Sequence, residues 1–375
     1  MTSLAILVDQ LFASAPGGMG TYVRELVPAL SRAEPSLEIA LFHARFETAP
    51  SDMDGWMRGY PVEQLDASIR RLYPSWATAR RPQLPPALAS MDLLHSPVHA
   101  AVPPKGPQQR LIVTVHDLAF LSHPELFPRP WRLMYRAGLA RAARSADAVI
   151  AVSRHTAEDL VRSTRIDRAR LHVIPLAASL PRSGVDVEEV LARLKVRSPY
   201  VLFVGTLEPR KNLVRLVRAY RRMASRGSPH SLVLAGPIGW HHAELLREIT
   251  TVEAPGEITL TGALSPADLD AVYRGAAAFV YPSLYEGFGL PVLEAMARGL
   301  PCVVSTSSSL PEVSGEAALP VDPRSVAGLS EALERIVTDP DLAERLRHAA
   351  LRRASRFSWD ETARLTLEVY KSVLS

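Results

Sequence analysis

Apolar residues along this chain come in short unbroken runs, each followed by a stretch where they recur every three or four positions. Leu4-Ala5-Ile6-Leu7-Val8 is the first such run. Continuous apolar strands of that length belong to sheets covered on both faces. Further runs predict strands at Glu38–Phe42, Met91–His95, Arg110–Val115 and Ala148–Val152. Helical spacing predicts helices over about Thr21–Leu30, Trp131–Arg144 and Arg154–Val161. Ten prolines between Pro82 and Pro130 make that region loop-rich.

The second half repeats the rhythm. Strands are predicted at Tyr200–Val204, Ser231–Leu234, Glu257–Leu260, Ala278–Tyr281 and Cys302–Ser305. Between them lie helical patterns at about Leu213–Arg226, His241–Thr251, Pro266–Arg274 and Leu290–Arg298. The tail from Ala327 to Ser375 reads as three helices with no strand. Strand-to-helix alternation argues parallel sheets with right-handed crossovers. The stretch Pro175 to Asp186, with Pro175, Pro181 and Gly184, is the expected linker. The fold class is therefore α/β: two Rossmann-like, doubly wound parallel-sheet domains facing across a cleft, where open sheets bind ligands.

Length and composition agree. The 375 residues suit two domains, and 47% hydrophobic with 22% charged is ordinary for a globular chain. Disorder, coiled coil and collagen are excluded. The one cysteine, Cys302, allows neither an internal disulfide nor a cysteine-rich zinc module, and suits a reducing compartment. Met1 to Gln10 lacks a basic leader, and no stretch approaches a membrane span. The expectation is a cytoplasmic protein. Its net charge of +4 lies entirely in residues 1–180, too little to argue for nucleic acid.

Three segments carry candidate chemistry. Pro16-Gly17-Gly18-Met19-Gly20 follows the first strand as a loop and opens a helix. Its glycines admit close backbone approach, and the helix amides behind them favour a phosphate. The spacing is wrong for a dinucleotide fingerprint, so NAD is set aside. Second, Gly205 to Asn212 is a strand end, a turn and a helix start, placing Arg210 and Lys211 where parallel sheets bind ligands. Arginine grips two phosphate oxygens at once, and lysine adds a mobile point charge. The pairs Arg70-Arg71, Arg80-Arg81 and Arg352-Arg353 read instead as solvated surface. Third, Glu286 lies in a loop rich in glycine, and Glu294 follows after seven residues, one turn into a helix opened by Pro291. Amides around Phe288, Gly289 and Leu290 form an anion site. The Glu294 side chain leans back toward the helix start, where a ribose diol would be a bidentate partner. No metal constellation is visible: Pro97 separates His95 from His99, and His241-His242 stands alone.

Together Glu286 and Glu294, Arg210-Lys211-Asn212, Gly17-Gly18-x-Gly20 and His116-Asp117 resemble retaining glycosyltransferases of the GT-B fold, family 4 (glycosyl transferases group 1). The likeness spans nearly the whole chain. His116 to Phe120 and Ala151 to Ser153 look most like the mannosyltransferase-like branch. The resemblance implies an N-terminal acceptor-side domain at 1–178, a donor-binding domain at 179–357, and a helix at 358–375 that packs back on the first. It implies no cofactor and no metal, with a nucleotide-diphosphate sugar, GDP-mannose in first place, as donor substrate. Arg210 and Lys211 would hold the diphosphate and Glu294 the ribose. Glu286 and the amides of Phe288 to Leu290 would position sugar and phosphate. Gly17 and Gly18 would admit the diphosphate, and His116 would contact the sugar near its hydroxymethyl group. Gly205, Gly236, Gly262 and Leu264 would line the nucleotide pocket, with Ser153 and Arg154 as lesser candidates. Retention could follow a front-face path, or double displacement with Glu286 as nucleophile.

The acceptor would be a glycan, a lipid-linked glycan or a small molecule. Two segments mixing arginine and aromatics, Arg70 to Arg81 and Arg129 to Arg144, point to peripheral contact with an anionic membrane at its inner face. No nucleic acid partner is expected. Two other readings stay open: a sugar phosphorylase or nucleotide-sugar epimerase on the same scaffold, and an inactive nucleotide-binding regulatory module.

Overall fold

A computed structural model describes residues 1–13, 17–47, 55–180, 184–250 and 256–375. Pro16, Pro181 and Thr251 of the segments above lie outside the described residues. The chain divides into two compact units, Met1–Leu176 with Ser358–Ser375, and Ala177–Phe357.

The first unit is built on a seven-stranded, wholly parallel sheet. Its strands are β1 (Ser3–Leu7), β2 (Glu38–His43), β3 (Val62–Gln64), β4 (Leu93–Ser96), β5 (Arg110–Val115), β6 (Ala148–Ala151) and β7 (Leu171–Val173). They lie in the order β3-β2-β1-β4-β5-β6-β7. Central strands β4 and β6 are buried at every position, which is why they read as plain apolar runs. The edge strands β3 and β7 are short and half-exposed, and escaped the sequence pattern. So did the helix Ile69–Thr78, which buries Leu72, Tyr73 and Trp76.

The second unit holds a six-stranded parallel sheet of β8 (Tyr200–Val204), β9 (Ser231–Ala235), β10 (Ile258–Gly262), β11 (Ala278–Tyr281), β12 (Cys302–Ser305) and β13 (Leu319–Val321). Their order is β10-β9-β8-β11-β12-β13. The chain runs outward from β8 to β10 and then returns to β11 beside β8. The carboxyl ends of β8 and β11 therefore flank the point where the winding reverses, and crevices in open α/β sheets form there. The last three helices are Val326–Thr338, Pro340–Ala354 and Trp359–Leu374. The last of them belongs to the first unit and packs on the helix Gly17–Ala33. It is fixed there by Thr362 Oγ1 donating to Pro175 O at 2.8 Å and by Tyr370 OH against His95 Nδ1 at 2.6 Å.

Three expectations need correction. The glycine run is not a loop: the helix starts at Gly17, and Gly17 and Gly18 form its exposed first turn. Glycine's poor helix propensity hides such a start from the sequence. Tyr73 and Trp76 of the Arg70 to Arg81 segment are buried, so that segment presents no aromatic surface. Two of the supposed surface arginines also tie backbone together. Arg80 donates to Val102 O at 2.7 Å and Pro103 O at 3.0 Å, and Arg353 donates to Val313 O at 2.8 Å and Glu312 O at 2.5 Å.

Candidate functional site

The site in the second unit starts from two loops at the reversal point. After β8 the chain bends at Gly205 (φ +146°) and makes one tight turn, Pro209–Lys211. Asn212 then takes the left-handed conformation (φ 62°, ψ 32°) and leads into the helix Leu213–Ala224. Asparagine is among the few side chains that accept this geometry at low cost. Its Nδ2 donates to Pro282 O at 3.0 Å and to Pro323 O at 2.6 Å, and Leu284 N donates to Arg210 O at 2.9 Å. The loop after β8 is thereby clamped to the loop after β11.

That clamp brings four charged side chains together. Arg210 Nη1 donates to Glu286 Oε2 at 2.7 Å and to Tyr285 O at 2.9 Å. Its Nε and Nη2 lie 3.0 Å and 2.8 Å from Glu208 Oε1. Lys211 Nζ donates to Glu286 Oε1 at 2.6 Å and to Tyr281 OH at 2.7 Å. Glu208, Lys211 and Glu286 are all buried. Burial alone would raise the Glu286 pKa, but the Arg210 and Lys211 charges overcome it and hold the carboxyl well below the usual range. Burial, with repulsion from Arg210, lowers Lys211, while Glu286 and Glu208 oppose that.

The backbone carrying Glu286 is stitched from the loop after β12. Glu286 N donates to Ser308 Oγ at 2.8 Å, and Ser309 Oγ bonds Glu286 O and Phe288 O, each at 2.9 Å. Gly289 (φ +109°) then turns the chain into the helix Leu290–Ala297, with Pro291 in its first turn. The N–H groups of Phe288, Gly289 and Leu290 donate to nothing among the described residues. Glu294 sits on this helix, and Tyr273 OH donates to its Oε2 at 3.0 Å. Arg298 lies 4.7 Å over the Tyr273 ring and is itself bonded to Asp270 at 2.9 Å.

Gly205, Gly236 and Gly262 stand at the carboxyl ends of β8, β9 and β10. Gly236 N donates to Gly262 O at 3.0 Å, and a Cβ on Gly236 would lie 2.2 Å from Gly205 O. Close backbone approach thus dictates glycine at 236 before any ligand is considered. Leu264 is half-buried in the loop after β10. Sequence reasoning found the cations and the two glutamates. It missed Glu208, Tyr273, Tyr281, Ser308 and Ser309. Glu208 had a signal, a carboxylate two residues before Arg210; the triple serine 307–309 after a strand was another.

In the first unit, His116 follows β5 directly. Its Nε2 lies 3.0 Å from Pro97 O, so the neutral ring donates from Nε2 and keeps Nδ1 as an acceptor. Burial pushes its pKa down to about 4. Tyr22 packs edge-on against it at 5.0 Å. His95 is a structural group, with Nε2 at 2.8 Å from Thr114 Oγ1 besides its bond to Tyr370. Ser153 is likewise spoken for: fully buried, it caps the helix Arg154–Ser163 by accepting from Thr156 N at 3.0 Å. Arg154 is exposed. No three His, Cys, Asp or Glu side chains converge as a metal ligand set among the described residues.

The model for glycosyl transferases group 1 matches residues 190–353, and that for glycosyltransferase family 4 matches residues 16–182. The O-antigen chain mannosyltransferase B of Escherichia coli is 32% identical over 96% of this chain and 99% of its own length. The serotype-specific mannosyltransferase WbdA of Escherichia coli is 30% identical over 73% of this chain; the match spans 35% of that longer relative. Among solved structures, Anabaena HepE in complex with UDP and glucose aligns with a TM-score of 0.75 at 18% identity, covering 99% of this chain and 100% of that one. The chain belongs to the group 1 glycosyltransferases, family 4, of the GT-B fold, and it is an enzyme of that class.

Proposed function

We propose that the enzyme transfers a hexose from a nucleotide-diphosphate sugar to an acceptor hydroxyl with retention of configuration, and that the donor is GDP-mannose. The observation that carries this reading is the pairing of Arg210 and Lys211 with Glu286 at the reversal point of the second sheet. Relatives named as mannosyltransferases favour mannose.

Arg210 and Lys211 take the diphosphate, and the amides of Phe288 to Leu290 add to the same field. As the bond from the anomeric carbon to the phosphate oxygen breaks, charge builds on the leaving diphosphate. Fixed cations and amides stabilise that charge without reorganising. This is the role a divalent metal would otherwise fill, and none is required. Glu294, oriented by Tyr273, binds the ribose hydroxyls. Gly205, Gly236, Gly262 and Leu264 line the base. Within the first unit, the exposed helix start at Gly17 and Gly18 suits a phosphate, and the unprotonated Nδ1 of His116 can accept from a sugar hydroxyl. The front-face path needs no covalent intermediate on Glu286: the acceptor oxygen attacks the anomeric carbon as the phosphate leaves, and its proton passes to the departing phosphate oxygen.

The acceptor is proposed to be a glycan, presented on a lipid. The supporting observation is the helix Arg129–Ser145, which exposes Trp131 (43%) and Leu133 (69%) between Arg129 and Arg136. Aromatic and aliphatic side chains flanked by arginine suit an anionic interface. No helix among the described residues is long and apolar enough to cross a membrane. Flotation with anionic liposomes should show salt-sensitive binding that Trp131→Ala weakens; no binding at low salt contradicts it.

The donor assignment is tested by thermal shift with GDP, UDP, ADP and dTDP, each with and without EDTA. A ligand at 100 times its Kd stabilises by about 2.7 kcal/mol. A GDP-selective shift that EDTA leaves intact is expected. Selectivity for another base replaces GDP, and no shift with any nucleotide removes the donor site.

A further inference from the structure

Arg210 and Lys211 are balanced by Glu208 and Glu286, and the two acids are held differently. Glu208 lies two residues before Arg210, and its Oε1 takes both Nε and Nη2 of that guanidinium. Its side chain is 4% exposed. Glu286 comes from a separate loop and divides its two oxygens between Arg210 Nη1 and Lys211 Nζ. The hydrogens of Nη1 are committed to Tyr285 O and Glu286 Oε2. Two of the three hydrogens of Lys211 go to Tyr281 OH and Glu286 Oε1. A diphosphate that engages both cations has to take the place of a carboxylate that is already there. Glu208 touches Arg210 alone, on its Nε and Nη2 edge, whereas Glu286 bridges Arg210 and Lys211, so a group that engages both cations together meets Glu286. The Glu286 side chain can rotate away while Ser308 and Ser309 hold its backbone.

We propose that Glu208 is a positioning residue that keeps Arg210 in place throughout, whereas Glu286 is a resident anion displaced from Arg210 and Lys211 by the donor's diphosphate. The proposal rests on the donor-site reading above. It adds an exchange: diphosphate entry frees the Glu286 carboxylate to accept hydrogen bonds from the sugar hydroxyls. Recognition of the sugar is thereby coupled to arrival of the phosphates. Arg210 keeps its second anchor while Glu286 is away.

Calorimetric titration with inorganic pyrophosphate and with GDP, in EDTA, tests this because the two glutamates should act with opposite sign. Glu286→Gln removes the competitor and should bind pyrophosphate at least tenfold tighter than the wild type, while turnover collapses. Glu208→Gln should bind it at least tenfold more weakly and raise KM more than it lowers kcat. Glu286→Asp keeps the charge but withdraws it from the cations, so it should also tighten binding; it carries the test if the glutamine variant does not fold. Weaker binding in both Glu286 variants, or no change in any variant, overturns the exchange and leaves the donor site standing. A wild type that binds neither pyrophosphate nor any nucleoside diphosphate overturns the donor-site reading and the exchange together.

Discussion

Lys211 Nζ and Glu286 Oε1 meet at 2.6 Å between two loops that are 75 residues apart in sequence. Both side chains are buried, so the pair is defined by what each would be without the other. Lys211→Met leaves the Glu286 carboxylate with Arg210 alone. Breaking a buried ion pair from one side costs about 3–5 kcal/mol of stability. Losing one fixed stabiliser of a leaving anion costs about 3–4 kcal/mol in kcat, roughly 10²–10³-fold. Urea unfolding and steady-state turnover read the two effects separately. Arg352→Ala, on an exposed helix face, should change neither.

Tyr273 reaches Glu294 from the preceding helix and is itself covered by Arg298. Tyr273→Phe keeps the packing and removes the hydrogen bond to the Glu294 carboxylate. A hydrogen bond to a charged group contributes about 1.5–3 kcal/mol. Nucleoside diphosphate affinity should fall about tenfold, with KM rising and kcat nearly unchanged. An equal fall in kcat would mean that Glu294 acts on the reacting centre rather than on the nucleoside.

Asn212 holds the cation turn against the loops after β11 and β13 through one carboxamide. Asn212→Ala places a Cβ-bearing residue with no polar side chain in left-handed backbone and leaves two carbonyls without their donor. The expected loss is about 2–4 kcal/mol, the sum of backbone strain and unmet acceptors. Asn212→Gly relieves the first term and should recover about 1 kcal/mol of it, which chemical denaturation can resolve.

The first unit should be sensitive to acid. Burial lowers the pKa of His95 to about 3, of His99 to about 4 and of His116 to about 4. Each binds a proton on unfolding as pH falls below its ordinary value near 6.5, so each loses stability in that direction. Asp9 has the opposite sign. Burial raises it to about 6 against hydrogen bonds from Ala44 N and Tyr73 OH, so its contribution is present in acid and lost as pH rises from about 4 to about 6. These four groups alone take up about two protons on unfolding near pH 5, so their contribution to stability falls by on the order of 3 kcal/mol per pH unit as pH falls. Urea midpoints by tryptophan fluorescence between pH 6.5 and 4.5 should show this slope, and Asp9→Asn should steepen it. A flat profile contradicts the account.

What could be read in the sequence follows from burial. Strands β8, β9, β11 and β12 are buried along their length, so apolarity alone marked them. Strand β13 is three residues with an exposed proline in the middle and gave no pattern. Arg210, Lys211, Glu286 and Glu294 were legible because charged residues beside glycine and proline turns at strand ends have few purely structural uses. Tyr273 and Ser309 were not. Both look like ordinary residues until the fold carries them across more than twenty positions to Glu294 and Glu286.

If Arg210 and Lys211 drive departure of a nucleoside diphosphate from a donor sugar, turnover of GDP-mannose in EDTA shows it, with GDP release followed for the wild type and Arg210→Ala and the product anomer read by proton NMR. The expected result is release without added metal, a roughly 10²–10³-fold loss in the variant, and a product with the donor's anomeric configuration. Turnover that needs a divalent cation, is unchanged in Arg210→Ala, or inverts the anomeric centre would contradict it.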